Sequence, residues 1–441
     1  MSTYEGVMPD ESLRYIEQIA MKLDRMKPRE IAENIHTLVR QHDDWRSKCL
    51  NMLASENVIG KSARSLLDSD MATRLTEGFP GSKYFPPPKQ NRFINEIEAT
   101  IISLTKMLFR AKYVEWRPLN STMANAVVLF ALTKPGDVIM VQSMPGGGNM
   151  SYHPVAIPGL RGLITKDLPP TEDFRINFST LREMVYEVNP KFFVIGGGRI
   201  IFPFRLKELR KIADEVGAKI LYDGAHVGPL LATGIFQDPL AEGADVVTVS
   251  THKMMGGPVG GLVLTNNKIL AKKVLQLTFP AFIQTRDLNK YAACAHILAE
   301  MVVFGEAYAK QVVINAQTLA TALAEEGFHV LGKKEGYTRT HQVILDVRDL
   351  DATLVEKRCQ ACNILIHKTE LLGDHKLGFR TGMRITVQEI TRQGMKEEEM
   401  KQVARFIRRA AIDGEDSPKL AGDIEVFVQD FQQIQYSFDT S

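Results

Sequence analysis

The run VVTVSTHKMMGG, residues 246–257, decides how the rest of the chain is read. Four β-prone residues lead into Ser250, Thr251, His252 and Lys253, and the chain then turns through glycines. A lysine is ordinarily a solvated residue, so one delivered beside a histidine from the end of an apolar strand raises the question of its purpose. Working outward, runs of the same kind recur: YVEWRPL, DVIMVQ, KFFVIGGG, KILYDG and GGLVLT. Helical stretches lie between them, as at 122–134 and 206–216. This alternation predicts βαβ units and a mostly parallel sheet, and the near-continuous apolar runs predict a sheet covered on both faces.

The surrounding chain fits an ordinary globular protein. It has 441 residues, with 44% apolar and 24% charged residues and a formal net charge of +2. Nothing in that balance points to nucleic acid or a membrane surface as partner. The start, MSTYEGVMPDESLRY, lacks the basic segment and apolar core of a secretion signal, and no apolar run reaches the length of a membrane span. Four cysteines are too few for a disulfide framework in so long a chain. Cys359 and Cys362 form a lone CxxC whose spacing places both on one turn of an amphipathic helix, where packing is the ordinary role. The expectation is a reduced, cytoplasmic protein.

Residues 1–70 read as an N-terminal helical arm. Leu13, Ile16, Ile19, Ala20 and Leu23 recur at helical spacing, and Pro28 opens a second helix. The apolar stripe of such an arm must pack on its own core or on a partner subunit, and the dimer interface is the expected place. Residues 71–310 read as the large ligand-binding domain and 311–441 as a smaller C-terminal α/β domain, with THQVILDV and GMRITVQEI as its strands. The patch FPPP, residues 85–88, reads as a stiff loop outside regular structure.

In open α/β sheets ligands sit at the carboxyl ends of the strands. There the sequence delivers Asp223 and His226 after KILY, Ser250, His252 and Lys253 after VVTV, and three glycines with Asn149 after DVIMVQ. Asn120, Ser121 and Thr122 enter a helix start, and a second glycine run ends at Arg199. Taken singly, Asp223 caps a turn, and Ser121 and Thr122 are N-cap residues or an anion site. Taken together they match a cofactor with a phosphate, a pyridine nitrogen and an aldehyde. Hydroxyls at a helix N-terminus hold the phosphate, a buried carboxylate keeps the ring nitrogen protonated, and a desolvated amine forms a Schiff base. Lys253 is thereby expected to hold pyridoxal phosphate.

The motifs STHK, GGPVGG, YDGAHVGPL, ASEN, EGFPG and RITVQEITRQGM stand in the order found in serine hydroxymethyltransferases. The chain resembles that family, in its archaeal form, from about Trp45 onward. The resemblance implies a fold type I pyridoxal phosphate enzyme of the aspartate aminotransferase type, with a mostly parallel seven-stranded sheet. It implies a homodimer or homotetramer with sites at the interface, a small amino-acid substrate, and tetrahydrofolate or tetrahydromethanopterin as one-carbon carrier. By the same resemblance Lys253 is the Schiff-base lysine, Asp223 pairs with the pyridine nitrogen and His226 sits near the ring hydroxyl. Ser121, Thr122 and His252 surround the phosphate. Glu77 is the acid/base carboxylate, Tyr84 lies near it across the interface, and Ser55 and Arg384 meet the substrate carboxylate. In MRITV the strand period sets Arg384 and Thr386 opposite Met383, Ile385 and Val387, and a guanidinium fork suits a carboxylate.

The chain departs from the family pattern at several positions. Asn149 stands where a histidine usually lies over the ring, Leu75 where a tyrosine precedes the glutamate, and Phe85 where a second tyrosine is usual. A glycine pair gives way to Pro86–Pro88, and AFIQTRD after TFP matches poorly. The FPPP patch resembles a loop of threonine transaldolases, which share the fold. The expected activity is reversible retro-aldol cleavage of a β-hydroxy amino acid, serine to glycine, with one-carbon transfer to a reduced pterin. The alternatives are a pterin-independent threonine-type transaldolase or aldolase, an α-methylserine hydroxymethyltransferase, and a catalytically weakened cofactor-binding paralogue.

Overall fold

A computed structural model of the chain describes residues 6–415 and 417–439. They divide into two units, residues up to Cys49 and residues from Leu50 onward. The first unit consists of two helices, Asp10–Leu23 and Pro28–Arg46. Pro28 opens its helix as the sequence predicts, because the first helical position needs no N–H and suits the fixed φ of proline.

The second unit is built on a seven-stranded sheet of β1 (Tyr113–Glu115), β2 (Val138–Gln142), β3 (Ile164–Leu168), β4 (Phe192–Gly196), β5 (Lys219–Asp223), β6 (Val246–Ser250) and β7 (Gly261–Thr265). They lie in the order β1-β7-β6-β5-β4-β2-β3. Six run in the same direction, and β7 is antiparallel to both of its neighbours. The strand period of two divides the apolar side chains between two cores. Ile139, Val141, Phe192, Val194, Leu221, Val246 and Val263 point to one, against the Ser121–Leu132 and Lys268–Gln276 helices. Met140, Phe193, Ile195, Ile220, Tyr222, Val247 and Val249 point to the other. Each fully buried aliphatic side chain stabilises this arrangement by about 1.5–3 kcal/mol. The sequence reading passed over β3, since only Leu168 of that edge strand is buried and no apolar run marks it.

A four-stranded antiparallel sheet follows, of β8 (His329–Val330), β9 (Gln342–Asp346), β10 (His367–Thr369) and β11 (Gly382–Thr386), in the order β8-β9-β11-β10. The 38-residue helix Leu288–Glu325 carries the chain between the two sheets and is about 57 Å long at 1.5 Å per residue. It packs against the Pro88–Phe109 and Glu397–Ala411 helices. Cys359 and Cys362 are packed in the main core.

The FPPP patch is more regular than its composition predicts. Phe85 ends a strand, Ser82–Phe85, that pairs with Glu77–Phe79, and Pro88 is the first residue of the Pro88–Phe109 helix. Only Pro86 and Pro87 form the connection, because proline is excluded from a helix interior but not from its first turn. Among the described residues no helix is long and apolar enough to cross a membrane.

Candidate active site

The carboxyl ends of β4, β5 and β6 and the N-terminus of the Ser121–Leu132 helix enclose a cavity of about 270 Å³. Ser121, Thr122, Asn149, Asp223, His252 and Lys253 line it, so six of the residues singled out from the sequence share one space. Ser250 ends β6 immediately before them and is buried. His226 is buried, with Nε2 3.2 Å from Lys253 Nζ.

Two glycines make this closeness possible. A Cβ on Gly261 would stand 2.5 Å from the Asn120 carbonyl oxygen, so β7 can approach the helix start only as glycine. Gly197 has φ +88°, and a Cβ there would stand 2.8 Å from Asp223 Oδ2. At the helix start the Asn120 side chain accepts the N–H of Met123 at 2.8 Å. The N–H groups of Ser121 and Thr122 have no intrahelical acceptor, and since both residues line the cavity this part of its wall suits an anion.

Asp223 lines the same cavity from the end of β5. Its Oδ2 accepts from Asn125 Nδ2 at 2.9 Å and from the Tyr152 hydroxyl at 3.0 Å, and its Oδ1 accepts the Ala225 N–H at 3.0 Å. Asn125 is itself oriented by the Thr248 hydroxyl at 2.7 Å. Burial and the charge of Asp223 push the Tyr152 phenol well above its ordinary pKa, so it remains a donor. Burial lowers the Lys253 amine from 10.5 to about 8, against the opposing pull of Asp223, with Arg384 adding to the depression. His252 is lowered to about 4 by burial and by Lys253. His226 is held well below 6.5 by burial, then by Lys253 and Arg384. Both imidazoles are neutral near pH 7, leaving Lys253 the titrating base of the cluster.

Arg384 is half-buried on β11, with Nη1 3.5 Å from the Gly198 carbonyl oxygen, so it reaches the glycine loop that lines the cavity. Burial lowers it to about 10. Ser55 lies exposed in a turn. Its segment is tied to the end of β11, where Gln388 Nε2 donates to the carbonyls of Leu53 and Glu56, at 2.7 and 2.8 Å. Glu77 and Tyr84 are not among the residues around the cavity. They sit together on the hairpin Glu77–Phe85, with the Tyr84 hydroxyl donating to Glu77 Oε2 at 2.6 Å. Arg286 fixes that hairpin from beneath by donating to the carbonyls of Thr76 and Gly78, at 3.3 and 3.2 Å, while pairing with buried Glu98.

Three residues of the site escaped the sequence reading. Asn125 shows only as one polar residue in the apolar helix NSTMANAVVLF, and Tyr152 carries no local mark at all. His341 precedes β9 and is fully buried, its ring 6.0 Å from that of His226 and inclined by 14°. Neither of its ring nitrogens has a hydrogen-bond partner among the described residues, and burial lowers it to about 3. A histidine beside an apolar strand could have been flagged, but the stacking depends on the meeting of two distant segments.

A family model described as serine hydroxymethyltransferase matches residues 29–407 of this chain. The serine hydroxymethyltransferase of Pyrococcus horikoshii is 40% identical over 428 residues, covering 94% of this chain and 98% of that one. That of Methanosphaera stadtmanae is 39% identical over 414 residues, covering 93% and 96%. The crystal structure of an L-threonine transaldolase from Pseudomonas fluorescens, in its internal aldimine state, is similar at a TM-score of 0.85. It is 26% identical and the match covers 96% of both chains.

Proposed function

The chain belongs to the serine hydroxymethyltransferase family, and from that premise we propose that it is a pyridoxal phosphate enzyme converting serine to glycine with one-carbon transfer to a reduced pterin, tetrahydrofolate or tetrahydromethanopterin. The observation that carries the proposal is the placement of Lys253 in one buried cavity with Asp223 and the open N-terminus of the Ser121–Leu132 helix. The residues fit the cofactor. Ser250 Oγ, His252 Nδ1 and His226 Nδ1 are buried polar atoms without a partner among the described residues, as expected where a polar ligand completes the bonding.

When bound, pyridoxal phosphate supplies an electron sink for the pair released at the substrate Cα. The chain supplies the rest. Lys253 provides the amine that would hold the cofactor through its aldehyde carbon. Asp223, oriented by Asn125 and Tyr152, holds the proton on the ring nitrogen. The helix start with Ser121 and Thr122 takes the phosphate. Arg384 clamps the substrate carboxylate, with Ser55 beside it. Glu77 takes the proton of the β-hydroxyl as the Cα–Cβ bond breaks, and Asn149, held by its bond to the Gly197 carbonyl at 3.0 Å, would help hold the ring from the cavity wall.

Glu77 and Tyr84 lie outside their own chain's cavity, which supports a homodimer in which the hairpin of one subunit completes the site of the other. The apolar faces of the two N-terminal helices, with Tyr15, Ile16, Ile19, Leu38 and Val39 exposed, support the same assembly. Lys253→Ala and Glu77→Gln proteins should each be nearly inactive, and co-expression should restore roughly a quarter of wild-type activity, since random pairing leaves one intact site in each heterodimer. Isolated heterodimer without activity would place Glu77 in its own chain's site.

The activity is tested by aldehyde release from the cofactor-loaded protein, with L-serine and L-threonine offered separately, each with and without a reduced pterin. Serine cleavage that requires the pterin is expected. Rapid threonine cleavage that ignores the pterin would overturn this in favour of the transaldolase reading, for which the similarity to the Pseudomonas enzyme and the Pro86–Pro87 connection speak.

A further inference from the structure

Arg199 stands two residues beyond Gly197, which lines the cavity. Its N–H donates to the Gly147 carbonyl at 2.9 Å, and its side chain is buried. The guanidinium donates to the carbonyl of Met144 and to the hydroxyl of Thr369. Thr369 pairs with Gly382, two residues before Arg384 on β11, and Arg384 reaches the carbonyl of Gly198. Both arginines therefore adjoin the glycine loop beside the cavity, Arg199 by following Gly198 in the chain and Arg384 by its contact to the Gly198 carbonyl.

Neither has a carboxylate partner among the described residues, and Nε of each is buried without an acceptor. The nearby acids are engaged elsewhere. Glu370 pairs with Arg380, and Asp374 accepts from the backbone N–H groups of Leu371 and Thr381 and from the Thr381 hydroxyl. Burial, then the charge of Arg384, lowers Arg199 to about 9. A buried guanidinium and a half-buried one without a counter-ion are unfavourable together, and the arrangement suits a place where an anionic ligand completes it. A tie between Met144 and Thr369 alone would not need a guanidinium facing a second cation.

We propose that Arg199 and Arg384 together bind two carboxylates of one substrate, so that this chain acts on a β-hydroxy amino acid whose side chain carries a carboxylate. The proposal rests on the retro-aldol reading above, with Arg384 on the α-carboxylate, and assigns Arg199 and the Thr369 hydroxyl to the second one. In the reaction the β-hydroxyl gives up its proton and the Cα–Cβ bond breaks with its electron pair left on Cα. Cα takes a proton to become glycine, and Cβ leaves as the aldehyde carbon of an oxoacid. For 3-hydroxyaspartate the products are glycine and glyoxylate, with no oxidant or reductant consumed.

The test uses the cofactor-loaded full chain. L-Aspartate and L-alanine differ by the one carboxylate, and each is titrated against the cofactor absorbance. Aspartate should bind about tenfold or more tightly than alanine, Arg199→Gln should bring that ratio close to one, and Arg199→Lys should retain part of it. The kcat/KM for aldehyde release from 3-hydroxyaspartate should likewise exceed that from threonine, and Arg199→Gln should remove the excess. Equal affinities in the wild type, or an Arg199→Gln protein with the ratio intact, would overturn the subsite. Pterin-dependent serine cleavage in the same preparation separates the two readings. If it is present without an aspartate preference, the subsite alone falls. If no amino acid perturbs the absorbance or is cleaved, both readings fall.

Discussion

The Lys253→Ala protein should release aldehyde from L-serine at least about 10³-fold more slowly than wild type, because a covalent catalyst that loses its nucleophile keeps only the contribution of binding. It should also fold normally. Lys253 is buried, and burial is the largest influence on its amine, so its removal takes away a desolvation cost that offsets the loss of its one contact, to His226 Nε2. Thermal unfolding of cofactor-free mutant and wild type separates loss of chemistry from loss of structure. A mutant that turns over many times would remove Lys253 from the mechanism. The same amine sets a pH dependence. Its value falls from 10.5 to about 8 on folding, so the unfolded chain holds the proton more tightly between those pH values, and cofactor-free protein should gain stability as pH rises through that window. The rate of recombination with pyridoxal phosphate should rise with the neutral amine and level off above about pH 8. A rate still climbing toward pH 10 would mean that burial does not act on Lys253 as its position requires.

The second large effect is at Asp223. Asp223→Asn should slow turnover on the order of 10²–10³-fold, the usual loss when a fixed charge opposite a developing charge is removed. The hydrogen bonds sharpen the expectation. The carboxylate accepts from Asn125 and Tyr152 on one oxygen and from the Ala225 N–H on the other. An asparagine offers one acceptor and turns its own donor toward groups that also donate, which leaves a buried donor unsatisfied at about 1–3 kcal/mol. Asp223→Asn should therefore lower the melting temperature as well as the rate, while Asn125→Ala should show a smaller effect on both. Equal kcat in Asp223→Asn and wild type would exclude the carboxylate from holding the ring-nitrogen proton.

Much of this was legible in the sequence because strand, turn and motif are local. The β6 run into Lys253, the β5 run into Asp223 and the start of the Ser121–Leu132 helix each carry their own pattern of β-branched residues, glycines and hydroxyls, and a parallel sheet gathers strand ends on one edge. Local pattern also failed where burial was weak. Exposed β3 has no apolar run, and the prolines of FPPP hid a strand end and a helix start. The partners of the central groups were not local at all. Tyr152 meets Asp223 across 71 positions of sequence, and His341 stacks on His226 from beyond the long helix.

By itself, then, the sequence determined the α/β class, the family and the residues delivered to one edge of the sheet, because backbone propensity and side-chain period act over a few residues. Only the tertiary structure decided which of those residues share a cavity. It set Glu77 and Tyr84 apart from Lys253 within the chain, and it brought Arg384 to the glycine loop that Arg199 follows, neither with a carboxylate partner among the described residues. The physical reason is that the pairing of groups, their burial and the lowered basicity of Lys253 depend on what distant segments place around them, and charge and desolvation act through space rather than along the chain.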